Sequence, residues 1–151
     1  MIKIVCVGKI KEKYLKDATS DYFKRITRFS KIEIIECNEY SEMDVKSILE
    51  REKQQIEKNI GVRDCVVTLE IDGENLTSEE LSQKIENIYM NYGDITFVIG
   101  GSYGLHEDIK KRSNYALSFS KMTFPHQLFR VILLEQIYRA FKIQNNEKYN
   151  K

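Results

Sequence analysis

One histidine stands where it could handle a proton. His126 directly follows Pro125, the only proline of the chain, and precedes a helix-length apolar run. In the first turn of a helix, the positive end disfavours imidazolium and favours a nearby anion. A substrate-facing base and a structural histidine both fit that position. Just upstream, "SFSKMTFP" (118–125) mixes serine, threonine and lysine with Phe119, Met122 and Phe124 without any period. Such a segment either lines an adenine-sized pocket with apolar walls and backbone hydrogen bonds, or packs as a plain connection. "GGSYG" (100–104) closes another apolar run. Its glycines permit positive φ and close backbone approach, which suits a ligand loop and a tight turn alike. It fits neither the dinucleotide nor the P-loop glycine pattern.

The remaining reactive types offer less. Arg130 and Arg139 interrupt the apolar run nine residues apart. That is about 2.5 turns, hence opposite sides of a helix. His106 opens a short polar stretch and reads as a surface cap. Cys6, Cys37 and Cys65 are far apart in apolar runs. They read as buried free thiols of a reducing cytoplasm, and no two have metal-ligand spacing, so no metal is expected. No nucleophile-base-acid triad, paired catalytic carboxylates or thiolate pocket can be made out.

These residues need a scaffold, and the pattern supplies one. Strand-like runs at 2–8, 31–37, 65–71, 94–101 and 115–120 alternate with helical patterns at 12–29, 43–60, from 77 onward, near 105–112 and after Pro125. The first helix carries Tyr14, Leu15, Ala18, Tyr22, Ile26 and Phe29 near 3.6-residue spacing. "TSEE" (77–80) predicts a capping box. Thr123 is a candidate N-cap for the last helix. Alternating elements with β-branched strands predict an α/β fold, a mostly parallel sheet with helices on both faces. Ligands bind such sheets beyond the carboxyl ends of the strands, where 70–75, 100–104 and 118–125 gather.

Length and charge set the outer limits. The 151 residues suit one domain, 1–151. No apolar stretch reaches the ~18–20 residues of a membrane span, and residues 1–7 lack the pattern of a signal peptide. The chain is near neutral, at +1, yet residues 121–151 hold six Lys/Arg against two Glu. Either a solvated tail or an anion-binding surface follows.

At this point the chain resembles a known family. "VGKIKEKY", "TLEIDG", "FVIGGSYGLHEDI", "RSNYALSFSKMTFPHQLFRVILLEQIYRAFKI" and the tail "YNK" occur in that order. They are similar to the rRNA large-subunit methyltransferase H family, the SPOUT-class 23S rRNA pseudouridine N3-methyltransferases. The resemblance spans essentially the whole chain. It implies a SPOUT-type sheet with a C-terminal deep trefoil knot, a cytoplasmic homodimer, and S-adenosylmethionine as methyl donor. It carries the donor contacts onto Leu69, Gly100, Phe119, Ser120, Lys121, Met122, Thr123 and Phe124. It implies a pseudouridine of helix 69 in 23S rRNA on the assembled ribosome, with no membrane partner and no metal.

Within that resemblance, His126 is the expected base for the N3 proton, or Arg139 or Lys151 of a partner subunit assists. Arg130, Lys142, Tyr149 and Lys151 are expected to meet RNA, in a patch that also includes Lys121, Arg139 and Lys148. The last helix, apolar almost all round, is expected to pack one side on its own sheet and another on the partner. Leu133 and Ile137 are placed at that seam. One departure stands out: Asn150 occupies the place of the usual family histidine and cannot take a proton. The rival readings are a SPOUT methyltransferase with another RNA target and a ribosome-binding factor without donor binding.

Overall fold

Apolar residues on both faces of every central strand dictate a sheet covered on both sides. A computed structural model describes residues 1–149. It shows β1 (Ile2–Val7), α1 (Lys13–Thr27), β2 (Ile32–Cys37), α2 (Val45–Glu57), β3 (Cys65–Asn75), α3 (Ser78–Asn91), β4 (Ile95–Ile99), α4 (Glu107–Arg112), β5 (Tyr115–Ser118) and α5 (His126–Gln144). The five strands pair in parallel in the order β2-β1-β4-β3-β5. Ile2, Ile4, Cys6, Cys65, Val67, Ile95, Phe97 and Ile99 face one core, against α1, α3 and α5. Val5, Val7, Val66 and Val98 face the other, against α2 and α4. The three cysteines are buried free thiols. Burial pushes the Cys6 thiol up to about 12, so it is inert. No described helix is long and apolar enough to cross a membrane.

The predicted capping box at α3 is present. Glu80 N–H donates to Thr77 Oγ1 at 3.1 Å, and Thr77 N–H donates to Glu80 Oε1 at 3.0 Å. Three expectations need correction. β3 does not stop at residue 71. The chain bulges after Leu69 and rejoins β5, so that Leu69 and Glu74 both pair with Leu117 and Asn75 pairs with Ser118. The bulge presses so close that a Cβ on Gly73 would lie 2.8 Å from the Ala116 carbonyl. Thr123 is not the N-cap of α5. Pro125 is, without a side-chain bond, as a residue lacking N–H allows. Tyr14, expected on the apolar stripe of α1, is 69% exposed.

The all-round apolarity of α5 has a simple cause. It is the middle helix of its layer, lying on the sheet with α1 and α3 on either side. Phe29, just past the end of α1, stacks on Phe141 at 5.6 Å, and Tyr89 of α3 meets the same ring at 6.3 Å. Leu133 and Ile137 are 0% exposed within the single chain. They belong to its own core and not to a seam between subunits.

Candidate functional site

The bulge of β3 and the segments that leave the carboxyl ends of β4 and β5 enclose a cavity of about 220 Å³. The β4 segment is a turn that closes on itself. Gly104 N–H donates to Gly101 O at 3.1 Å, and Gly104 has φ +78. A Cβ on Gly100 would stand 2.5 Å from the Gly104 carbonyl oxygen. The glycines thus serve the turn, and the turn's rim forms one wall of the cavity.

The β5 segment is shaped by short local bonds. Ser118 Oγ donates to Ser120 O at 3.2 Å, and Met122 N–H donates to Ser120 Oγ at 3.0 Å. Asn75 Nδ2 ties the segment to β3 through Ser118 O at 2.9 Å. Phe129 of α5 anchors the aromatic side, 5.1 Å from Phe119 and 5.7 Å from Phe124. On β3, the buried Thr68 hydroxyl donates to Glu70 Oε2 at 2.6 Å and fixes that carboxylate at the rim.

Leu69, Gly100, Phe119, Ser120, Met122, Thr123, Phe124 and His126 all surround this cavity, whereas Lys121 is exposed and does not line it. The walls are apolar and aromatic with backbone polar groups at the rim. Glu70 is the one carboxylate there, and no Lys or Arg lines the cavity among the described residues. A ligand with aromatic and cationic parts matches that lining.

The residues expected at the RNA surface are arranged differently. Arg130 is 1% exposed. It donates to Glu36 Oε2 at 2.6 Å and to Gly8 O at 3.0 Å. An enclosed guanidinium meets no phosphate, so its expected RNA contact is corrected to an internal one. Arg139 is paired with Glu135 at 2.6 Å and lies over Tyr149 at 4.7 Å. Lys142 is paired with Glu147. Tyr149 donates to Glu135 Oε1 at 3.2 Å and stands edge-on to Tyr138 at 5.1 Å. Burial and then the Glu135 charge push its phenol up to about 12. Lys151 and Asn150 lie outside the described residues. His106 caps α4, accepting from Asp108 N–H at 2.9 Å. Arg139 sits 13 residues after His126, roughly 20 Å along the helix axis. One chain therefore does not bring these two candidates to the same base.

Sequence reading missed Glu52 on α2. It is 4% exposed, and its carboxylate lies under the β4 turn, where a Cβ on Gly101 would be 3.2 Å from Oε2. Burial, then the Glu39 charge, pushes Glu52 from an ordinary 4.5 to about 7. From sequence it was visible only as one residue of the helical pattern at 43–60. A carboxyl that holds its proton more tightly when folded stabilises the fold below the unfolded value and loses that contribution as pH rises through the folded one. Thermal stability should therefore fall between about pH 4.5 and 7. Glu52→Gln should remove that part of the decline, up to about 3 kcal/mol. Melting curves of both proteins across this range give the check, and parallel pH profiles would refute it.

Comparison with known proteins comes to the same place. A family profile described as predicted SPOUT methyltransferase matches residues 1–150. The chain is 49% identical to the ribosomal RNA large subunit methyltransferase H of Streptococcus uberis (strain ATCC BAA-854 / 0140J), covering 99% of each chain. It is 52% identical, again over 99% of each, to a Methanococcus maripaludis (strain C5 / ATCC BAA-1333) protein provisionally given the same name. Among solved structures, a probable methylase family protein from Haemophilus influenzae Rd KW20 superposes with a TM-score of 0.57 at 18% identity, over 99% of this chain and 70% of that one. At that identity the likeness concerns the fold alone.

Proposed function

The chain belongs to the SPOUT methyltransferase family, and from that membership we propose that it methylates N3 of a pseudouridine in helix 69 of 23S rRNA. The donor is S-adenosylmethionine, the substrate is the assembled ribosome, and the working unit is a homodimer. The observation that carries this reading is near-50% identity, over full length, to proteins named for large-subunit rRNA methylation. The cavity is compatible with it: aromatic walls suit an adenine, and a rim with Glu70 and, among the described residues, no Lys or Arg tolerates a sulfonium.

Leu69, Gly100 and the 119–124 segment would hold the donor, with Lys121 at the outer edge. Bound there, the donor supplies an electrophilic methyl group. The rest is done by the chain. Phe119, Phe124 and Phe129 exclude water from the reacting pair. His126, at the cavity wall, would accept the N3 proton on an imidazole nitrogen, which leaves N3 free to take the methyl group. Arg139, Lys142 and Tyr149 lie far down α5 or beyond it. They can assist only at the site of a second subunit, in keeping with the homodimer that the family resemblance implies. The deep C-terminal knot that the family resemblance implies belongs to the same proposal.

His126→Ala should lower the single-turnover rate on ribosomes by about 10²-fold, while donor affinity changes little. A variant with near wild-type turnover would remove His126 as the base. Mapping of modified nucleosides in 23S rRNA from a strain lacking the protein tests the substrate directly. The expected result is loss of one N3-methylpseudouridine in helix 69, restored by the wild-type gene.

A further inference from the structure

Three of the cations that the C-terminal sequence offered for RNA are engaged internally: Arg130 with Glu36, Arg139 with Glu135, Lys142 with Glu147. Lys121 and Lys148 stay exposed, and a denser group of unengaged cations stands elsewhere. Residues 9–16, between β1 and α1, carry four lysines against one carboxylate, Glu12. Lys9, Lys11 and Lys16 are exposed, and none takes part in an ion pair among the described residues. Lys13 pairs only with its helical neighbour Asp17.

This exposed segment is held firmly. Gly8 turns the chain with φ +90 and gives its carbonyl to Arg130 at 3.0 Å. Ile10 N–H donates to Glu36 Oε2 at 3.0 Å, and its side chain is buried. Lys11 N–H donates to Gln127 Oε1 at 3.0 Å. Buried Ile10 thus turns Lys9 and Lys11 outward on a backbone pinned at three points. Pinning lowers the ordering cost of binding. The α1 N-terminus adds to the field, since Glu12 makes no side-chain cap bond and the first turn has no acidic residue. Tyr14 offers an exposed ring beside these lysines, the pairing of cations and aromatic face that suits single-stranded nucleic acid. Gln127 is the immediate neighbour of His126 on the cavity wall.

We propose that residues 8–16 take the phosphate backbone of the RNA substrate next to the donor cavity, with Gln127 and Arg130 as positioning residues that fix this segment relative to His126. The inference rests on the RNA-methyltransferase reading above. Electrostatic contact sits on Lys9, Lys11 and Lys16, base stacking on Tyr14. The near-neutral chain thereby obtains a local polyanion-binding surface without an excess of charge overall.

The test compares wild type, Lys9→Gln/Lys11→Gln and Lys9→Arg/Lys11→Arg, with ribosomes as substrate. The Gln pair should raise KM for ribosomes by about tenfold or more and reduce the slope of log affinity against log salt by roughly 1.4 for a single-stranded RNA probe. Donor affinity by calorimetry should not change, and the Arg pair should behave as wild type. Gln127→Met should raise KM with unchanged melting temperature, and Gln127→Glu, which keeps the acceptor, should restore it. Wild-type KM and salt slope in the Gln pair would overturn the inference alone. A raised ribosome KM with unchanged affinity for protein-free RNA would assign the surface to a ribosomal protein and overturn it too. A wild type that transfers no methyl group to ribosomes overturns the substrate reading, and this inference with it.

Discussion

Gly100→Ala should fold and lose donor binding by about 30- to 100-fold. The added methyl would meet the Gly104 carbonyl oxygen at 2.5 Å, its carbon at 2.8 Å and Leu105 Cδ2 at 3.0 Å. Two of these atoms are backbone, so no side-chain rotation relieves the clash. Overpacking of this kind costs roughly 1–3 kcal/mol. The turn can escape it only by opening away from β4, which moves the rim that lines the cavity. The upper part of that range corresponds to the stated loss of affinity. Gly104→Ala is the useful contrast. Nothing lies within 4 Å of its Cβ position, but its φ of +78 is unfavourable for alanine. It should cost about 1–2 kcal/mol of stability and leave donor binding much closer to wild type. Calorimetric titration with S-adenosylmethionine, alongside melting curves, separates the two. Unchanged donor affinity in Gly100→Ala would show that the turn is not part of the donor site.

Leu133→Glu should abolish folding, not dimerisation. With no exposure in the single chain, the new carboxylate would be buried in the apolar core between sheet and α5. A core leucine cut to alanine already loses about 2.7–5 kcal/mol, and an unpaired buried charge adds several more. Total stability is of order 5–15 kcal/mol, so the fold is not expected to survive. Leu133→Ala should remain folded with a clearly lower melting temperature. Leu128→Glu, at a residue 38% exposed, should fold, and it is the better probe of a subunit seam along α5. Circular dichroism and sedimentation give the readout. A folded, monomeric Leu133→Glu protein would restore the seam position expected from sequence.

What was legible and what was not differ in range. The strands, the α3 capping box and the three loops of the cavity follow from periodicity, caps and glycine, each set by residues within one or two turns. The sidedness of α5 was not legible. Its pattern says only that nearly every face is covered, and a covering helix of the same chain looks identical in sequence to a covering subunit. Arg130 is the clearest instance. Its partners, Glu36 and the Gly8 carbonyl, are 94 and 122 residues away, and nothing local marks it as internal.

By itself the amino-acid sequence determined the α/β alternation, the parallel sheet, the gathering of 70–75, 100–104 and 118–125 at one end, and the family. These depend on short-range preferences and on motifs whose order survives without coordinates. Only the tertiary structure decided which charges remain available. It enclosed Arg130, paired Arg139 and Lys142, buried Glu52 under the β4 turn, and left Lys9 and Lys11 outward on a pinned loop. The physical reason is that a charge is assigned by its partners, and here the deciding partners lie on other elements, brought together only when the sheet forms.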